Sequence, residues 1–266
     1  MRRILYNIRG TVALVLAAGL LVCAPSCRKA VAPEMDSSDF VLVSDVVPSA
    51  ILEIRYFSTY NFVGDRIDGY LEPVALMTRE SAEALARAAA SLDSLGYRLK
   101  IFDAYRPQTA VNHFIRWAED VADVRMKPYF YPDVDKSRLF ELEFICAKSS
   151  HSRGSTVDLT LFDKASGRDV DMGGTFDWFG EKSNPDCPVL PEGAELPSGA
   201  GSALADAAAG LSSGAFITVE QAAARRILRD AMLAAGFKPF ATEWWHFTLA
   251  DEPFPDTYFD FPVRSL

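Results

Sequence analysis

The stretch SSHSRGSTVDLTL, residues 149–161, joins a histidine, a glycine and the start of a strand. VDLTLFD at 157–163 alternates apolar and polar residues, so one face of the predicted strand carries Asp158. His151 precedes Asp158 by an odd number of positions, which in one continuous strand would place the two side chains on opposite faces. They converge only if His151 lies on a loop that folds back at Gly154.

A second histidine motif, TEWWHF at 242–247, pairs Glu243 with His246. The surrounding stretch, 237–250, is dense in aromatic residues and is typical of a strand. Three positions separate the glutamate from the histidine, so a bulge or turn at 242–244 is needed to bring both side chains to one side.

Together the two motifs have the residue types of a catalytic zinc site. Such a site uses three nitrogen or oxygen ligands, an open position for water, and a carboxylate that takes the water's proton. His151, Asp158 and His246 could supply the ligands, with Glu243 left as the base. Each fragment alone is weak evidence, but the chain has only three histidines. The third, His113, has no carboxylate near it in sequence and is interpreted as a surface or half-buried residue.

The remaining sequence predicts a single α+β domain. Helices and strands do not alternate strictly, which favours a mainly antiparallel sheet flanked by helices over a doubly wound parallel sheet. The predicted helices are 78–97, 107–124 and 219–236, and the further strands are 40–47, 51–58 and 97–106.

Composition bounds the possible functions. The 266 residues are 49% hydrophobic and 24% charged, which is typical of a chain with a folded core. The net charge of −9 argues against nucleic acid as a partner, because phosphate binding requires a basic surface.

The first 26 residues are typical of an export signal. Three arginines flank the start of the apolar run 11–24, which is too short for a comfortable membrane span. Cys27 stands where a bacterial lipoprotein is cleaved and lipidated, so we expect a lipid anchor there and a tether over 27–39. A conventional cleaved signal and an uncleaved anchor are the alternatives. The folded domain is predicted to be 40–266, in a periplasmic or outer-membrane-anchored protein.

Two further features have roles that the sequence leaves open. Residues 184–214 are rich in Pro, Gly, Ser and Ala and predict a long surface insertion. Cys146 and Cys187 could pair in an oxidising compartment. Spacing cannot show it, and Cys146 is equally typical of a buried apolar residue.

The chain resembles the bacterial D-alanyl-D-alanine dipeptidases, zinc D,D-peptidases that share a fold with the hedgehog signalling domain. The family pattern SxHxxGxxxD is met by Ser149, His151, Gly154 and Asp158, and the pattern ExxH is met by EWWH at 243–246. Thr156 stands where the family usually has a small residue. Further similar segments are SRG at 152–154, RYFSTYNFVGDRIDGY at 55–70, DAYRP at 103–107 and DMGGTFDWFGEKS at 171–183.

The resemblance implies one zinc ion held by His151, Asp158 and His246, with water as the fourth ligand. Glu243 would act as the general base. Arg106 would stabilise the charge that develops on the carbonyl oxygen in the transition state. Its alternative interpretation is a surface ion-pairing residue.

A free dipeptide also needs recognition of its two charged ends. Asp177 is the candidate for the ammonium group, with Tyr56 or Tyr70 as assistants, and Ser149 is the candidate donor to the carboxylate. A loop-capping role is the alternative for Asp171 and Asp177.

The expected function is therefore zinc-dependent hydrolysis of D-alanyl-D-alanine and related D,D-dipeptides released in cell-wall turnover. The enzymatic alternative is a D,D-carboxypeptidase or endopeptidase that acts on peptidoglycan stem peptides. The non-enzymatic alternative is a zinc-stabilised binding module. The expected partner is a small D,D-dipeptide, with no nucleic acid and with membrane association only through a lipid on Cys27.

Overall fold

The central strand of the main sheet is β5 (Thr156–Asp163), the longest strand in the described part of the chain. Its residues Val157, Leu159 and Leu161 are fully buried. The intervening Asp158 and Thr160 are almost as inaccessible. Both faces of this strand are therefore covered, and a polar side chain on it must find its partners inside the protein.

A computed structural model describes residues 37–190 and 216–266. The described residues belong to one compact unit, Met35–Leu266. Outside them lie the predicted signal at 1–26, Cys27, nearly all of the tether at 27–39, and most of the insertion at 184–214.

The other elements follow in chain order. They are β1 (Phe40–Leu42), α1 (Val43–Val46), β2 (Ile51–Leu52), β3 (Leu76–Thr78), α2 (Arg79–Ser94), β4 (Tyr97–Asp103), α3 (Gln108–Glu119), α4 (Lys127–Phe130), β6 (Arg168–Asp169), α5 (Val219–Ala234), β7 (Phe237–Pro239) and β8 (His246–Leu249), with 3₁₀ turns at Lys136–Arg138, Ser150–Arg153 and Glu181–Ser183.

The main sheet has the strand order β2-β4-β5-β8-β7, and β6 pairs with the end of β5. Only β2 and β4 are parallel, and every other pair in this sheet is antiparallel. β1 and β3 form a second, two-stranded antiparallel sheet. The predicted α+β class with a mainly antiparallel sheet is confirmed.

The register of three adjacent strands places polar residues in one row. Asp158 on β5 is opposite Asp103 on β4 and opposite His246 on β8. Directly opposed residues in an antiparallel pair project from the same face with Cβ atoms about 5 Å apart. The sheet therefore places the carboxylates of Asp103 and Asp158 and the imidazole of His246 next to one another on one face.

The predicted helices α2, α3 and α5 are confirmed, with shorter ends. α2 is rich in alanine, and its buried face carries Ala82, Leu85 and Leu92 against β4 and α5. α5 begins with a complete capping box between Thr218 and Gln221. In the described ranges, no helix is long and apolar enough to cross a membrane.

Four predicted strands are shorter than expected, and the one over 97–106 ends at Asp103. The strand over 40–47 ends at Leu42 and continues as a short helix that stops just before Pro48, a residue without an N–H donor. The strand over 51–58 keeps a regular ladder only for β2, although Glu53 and Arg55 still donate backbone hydrogen bonds to β4. The strand over 237–250 is split into β7 and β8.

Candidate active site

Three buried side chains meet on the polar row of the sheet. His151 Nε2 lies 3.2 Å from Asp158 Oδ2, and His246 Nδ1 lies 3.1 Å from Asp158 Oδ1. The two imidazole nitrogens are 3.3 Å apart. Their arrangement forms a compact triangle of one oxygen-bearing and two nitrogen-bearing groups that could hold a metal ion.

His151 reaches the triangle from a 3₁₀ turn, Ser150–Arg153, that precedes β5. Gly154 closes this turn with φ 81°, a left-handed conformation that favours glycine. A Cβ atom at this position would lie 2.4 Å from the ring of Phe40. The predicted fold-back of the chain at Gly154 is confirmed, and only glycine fits it.

Hydrogen bonds fix which nitrogen each histidine presents. His151 Nδ1 is 2.7 Å from the carbonyl oxygen of Ala104, so it carries the proton and leaves the Nε2 lone pair for a ligand. His246 Nε2 is 3.2 Å from Ser150 Oγ, which leaves Nδ1 to face Asp158. Both rings are therefore oriented by a partner on the side away from the triangle.

Glu243 and His246 are brought together by a turn at residues 244–245, where the sequence predicts one at 242–244. The His246 N–H donates to the Glu243 carbonyl across this turn. Glu243 Oε2 then lies 3.4 Å from His246 Nδ1. The side chain of Glu243 is 31% exposed, so it borders the triangle and also reaches the open space above it.

The triangle fits a zinc ion in size and in chemistry. Zinc–ligand bonds of about 2.0–2.1 Å in a tetrahedron separate neighbouring ligand atoms by roughly 3.3 Å. The separations here are 3.1–3.3 Å. Asp158 Oδ1 is also fully buried and, although near His246, accepts no hydrogen bond of acceptable geometry. A cation would satisfy this orphaned oxygen.

Burial and charge shift the pKa values of these groups in different directions. Burial raises the pKa of Asp158, but the two histidines outweigh it and hold this pKa well below its usual range. Burial lowers the pKa of His151, which favours the neutral form that binds metals. For His246, burial lowers the pKa, but the adjacent Asp158 carboxylate outweighs it and the pKa is raised.

Glu243 has a raised pKa, chiefly because burial disfavours its charged form, with His246 acting in the opposite direction. A carboxyl group whose pKa moves toward neutrality suits proton transfer in both directions. Glu243 is thus the one carboxylate beside the triangle that combines a raised pKa with access to the open space.

Arg106 follows β4 and is held from several sides. Its Nε donates to Asp103 Oδ2 at 2.9 Å, and its Nη2 lies 3.5 Å from Asp158 Oδ2. Its guanidinium also lies over the ring of Tyr56 at 4.9 Å. The side chain is only 13% exposed, so the interpretation as a surface ion-pairing residue does not fit.

Asp103 is a residue of the site that the sequence reasoning missed. It is completely buried, accepts from Tyr70 O–H at 2.6 Å, and lies 3.5 Å from His151 Nδ1. The available signal was its position in DAYRP, three residues before Arg106 at the end of a predicted strand. Because the Tyr70 O–H is bound to Asp103, Tyr70 is not placed to bind substrate, and that prediction is not supported.

A cavity of about 260 Å³ opens above the triangle. This volume lies just below the range of about 300–1,000 Å³ typical of pockets for drug-sized ligands. Its lining includes all three residues of the triangle, together with Glu243, Arg106, Ser149, Tyr56 and Asp177. Tyr70 is absent from the lining.

Asp177 is buried in the cavity wall and has φ 61°, which is unusual for a residue other than glycine. Tyr56 O–H donates to its two carboxylate oxygens at 3.0 and 3.2 Å. Burial, followed by repulsion from Asp158, raises its pKa well above the usual range. Asp171, in contrast, accepts from Gly173 N–H and from Gln221, as the loop-capping alternative predicts.

Two remaining predictions concern residues away from the triangle. His113 is half-buried, and its Nδ1 accepts a hydrogen bond from the backbone N–H of Asp68, which agrees with a structural role. Cys146 carries a free and exposed thiol at the cavity wall, so it forms no disulfide with Cys187 in the described structure.

A His–Asp–His triangle with a carboxylate beside it, at the base of a small cavity, defines the site of a metallopeptidase. The sequence agrees with that class. The chain belongs to the family described as D-ala-D-ala dipeptidase, which matches residues 36–194 and 208–264. Members of this family are zinc-dependent. The unmatched residues 195–207 fall within the predicted insertion.

Characterised relatives from three bacteria carry the name D-alanyl-D-alanine dipeptidase. The Streptomyces coelicolor protein is 37% identical over 227 residues, covering 85% of this chain and 99% of the relative. The Enterococcus faecium protein is 35% identical, covering 85% and 98%. The Escherichia coli protein is 28% identical, covering 80% and 86%. This chain is a metallopeptidase of that family.

Proposed function

We propose that this protein is a zinc-dependent D,D-dipeptidase that hydrolyses D-alanyl-D-alanine and related D,D-dipeptides. The observation that carries the proposal is the buried triangle of His151, Asp158 and His246 with Glu243 on its open side. These three residues would hold the ion at the base of the cavity, and a catalytic zinc site would need room for water beside it, which the cavity offers.

A zinc ion held by His151, Asp158 and His246 would supply Lewis acidity and would lower the pKa of water bound to it. Glu243 takes a proton from the attacking water and delivers it to the leaving amine. Its raised pKa supports both transfers, because a base poised near the working pH accepts and releases protons with small free-energy changes.

Arg106 stabilises the negative charge that develops on the carbonyl oxygen of the scissile bond. Its ion pair with buried Asp103 and its stacking on Tyr56 fix the guanidinium before substrate arrives. A preorganised cation acts mainly on the transition state, so it contributes to kcat more than to substrate affinity.

Asp177 binds the substrate ammonium, and Tyr56 holds the carboxylate in place by its two hydrogen bonds. Ser149, which also lines the cavity, donates to the terminal carboxylate. Recognition of both charged ends in a small cavity favours dipeptides, because a longer peptide leaves a buried charged group unpaired.

The cellular role that fits this chemistry is turnover of cell-wall peptides outside the cytoplasm. The support is the arginine-flanked apolar segment within residues 1–26 and Cys27 after it, which together favour an exported, lipid-anchored protein. Such a protein meets D-alanyl-D-alanine released from the wall, which makes salvage a better fit than removal of the cytoplasmic dipeptide.

The test is release of D-alanine by the purified protein from two substrates. One is free D-alanyl-D-alanine, and the other is an N-acylated tripeptide ending in D-alanyl-D-alanine, each with and without a chelator. We expect chelator-sensitive cleavage of the free dipeptide alone. Cleavage of the acylated peptide would support the carboxypeptidase alternative. If neither substrate is cleaved by the zinc-loaded protein, the binding-module alternative replaces the proposal.

A further inference from the structure

Lys148 lies on the cavity wall immediately before Ser149 and Ser150, and all three consecutive residues line the cavity. Its side chain is exposed, and its ammonium group rests 4.6 Å from the centre of the Tyr258 ring. Within residues 37–190 and 216–266, no carboxylate lies in ion-pair distance of Lys148.

The charges of the cavity lining make this lysine unusual. Four carboxylates line the cavity, from Glu143, Asp158, Asp177 and Glu243, against two Lys or Arg side chains. The other cation, Arg106, is already paired with Asp103 and adjoins Asp158. Lys148 is therefore the cation of the described lining that remains available to an incoming anion.

Ser149 alone is a weak anchor for a substrate carboxylate. Its Oγ accepts from Arg106 Nη1 at 3.4 Å and from the His151 N–H at 3.3 Å, so it offers a carboxylate only its single O–H donor. A neutral hydroxyl also offers no net charge to offset the acidic lining. A cation beside the carboxylate adds the attraction between opposite charges, which a neutral hydroxyl cannot supply.

We propose that Lys148 binds the C-terminal carboxylate of the substrate and makes the enzyme selective for peptides with a free C-terminus. This inference rests on the proposed dipeptidase function. The aromatic face of Tyr258 holds the ammonium near the rim in the free enzyme. The flexible lysine side chain then moves from the ring to the carboxylate when substrate binds. Lys148 contacts a part of the substrate that does not react, so its contribution lies in KM.

The test compares hydrolysis of D-alanyl-D-alanine with hydrolysis of D-alanyl-D-alaninamide, whose C-terminus is neutral. Substrate loss is followed by chromatography for the wild type, Lys148→Met and Lys148→Arg. We expect Lys148→Met to lower kcat/KM for the free dipeptide about tenfold, through KM, since hydrogen bonds to charged groups contribute about that factor or more. The amide should be hydrolysed at an unchanged rate, and Lys148→Arg should retain most of the preference.

The matched control is Lys238→Met. Lys238 is an exposed lysine on β7 that donates to the Ala250 carbonyl and lies outside the cavity lining. It should leave both substrates unaffected. Equal losses on dipeptide and amide in Lys148→Met, or no loss on either, would overturn the assignment. Lys148→Gln provides the same comparison if the methionine variant does not fold. A wild type that hydrolyses neither substrate would instead count against the dipeptidase function itself.

Discussion

The base of the cavity and its outer wall are built in different ways. At the base, Asp103, Asp158 and His246 stand in register on three paired strands, and each is at least nine-tenths buried. The outer wall, residues 139–148, has neither helix nor strand. Three of its five cavity-lining residues, Glu143, Cys146 and Lys148, are exposed, whereas Phe144 is half-buried and Ile145 is buried.

We infer that the buried base carries out the reaction and that the outer wall sets the preference among substrates. Every group at the base is positioned by a neighbour that is itself fixed, so a substitution there disturbs metal geometry or proton transfer for any substrate. The exposed side chains of the outer wall make no described hydrogen bond or ion pair to the triangle, so they can change without moving it. We therefore expect substitutions at the base to lower kcat for all substrates and substitutions on the wall to change the preference among substrates.

The largest effect is expected for Glu243→Gln. The amide cannot accept a proton from water, so kcat should fall about 10²–10⁴-fold, the usual contribution of a general base. The zinc content, measured by atomic absorption after dialysis, should stay at one ion per chain because the triangle is intact. Loss of zinc together with activity would show that Glu243 is a ligand.

A smaller effect is expected for Asp103→Asn, which removes a charge from the base without touching substrate. The neutral amide would weaken the ion pair to Arg106 and the support for His151, so kcat should fall about 10–100-fold, as for other outer partners of metal sites. Tyr70→Phe is the matched control, since it removes only the other hydrogen bond to the same carboxylate. If Asp103→Asn keeps activity within about twofold of wild type, the proposed role of Asp103 is contradicted. Loss of a residue that supports a metal ligand should lower activity by more than that.

The sequence predicted this base better than it predicted the wall. The spacing of His151, Gly154 and Asp158 required a fold-back, and the spacing of Glu243 and His246 required a turn. Both turns are present, because strand periodicity leaves few ways to bring such pairs together.

Asp103 and the wall were missed for a physical reason. The role of Asp103 depends on the pairing of β4 with β5, a register between segments that are distant in sequence. The wall has no periodic pattern that a sequence could reveal, and its cavity-facing residues follow from the path of an irregular loop. The lengths of strands β1 and β2 were predicted wrongly. An apolar run does not show where the neighbouring strand stops pairing with it.

Asp177→Asn is expected to change the pH dependence of stability and also to lower activity. The pKa of Asp177 is raised in the folded protein above its ordinary value near 4, so its stabilising contribution is complete below about pH 4 and is lost as pH rises through the folded value. In urea denaturation of metal-free protein, the wild type should lose stability relative to the variant as the pH rises above about 4. The variant should also hydrolyse D-alanyl-D-alanine about tenfold less efficiently, because the ammonium loses a charged partner.

Stability that shifts equally with pH in the wild type and in Asp177→Asn would show that this carboxyl does not titrate abnormally. Tyr56→Phe provides a matched comparison, because it removes the donor to Asp177 and keeps the carboxyl group.

The smallest effect is expected on the outer wall, for Phe144→Leu. Phe144 stacks on Phe179 at 4.8 Å with nearly parallel rings, and both line the cavity. Loss of the aromatic pair should lower the free energy of unfolding by about 0.5–1.5 kcal/mol. The less firmly packed wall should also contact the substrate less closely, so KM for D-alanyl-D-alanine should rise. The value of kcat should be unchanged, and dipeptides with larger apolar side chains should gain relative to D-alanyl-D-alanine. A fall in kcat comparable to that of Asp103→Asn would mean that the wall also positions the catalytic groups, and the division between chemistry and selection would fail.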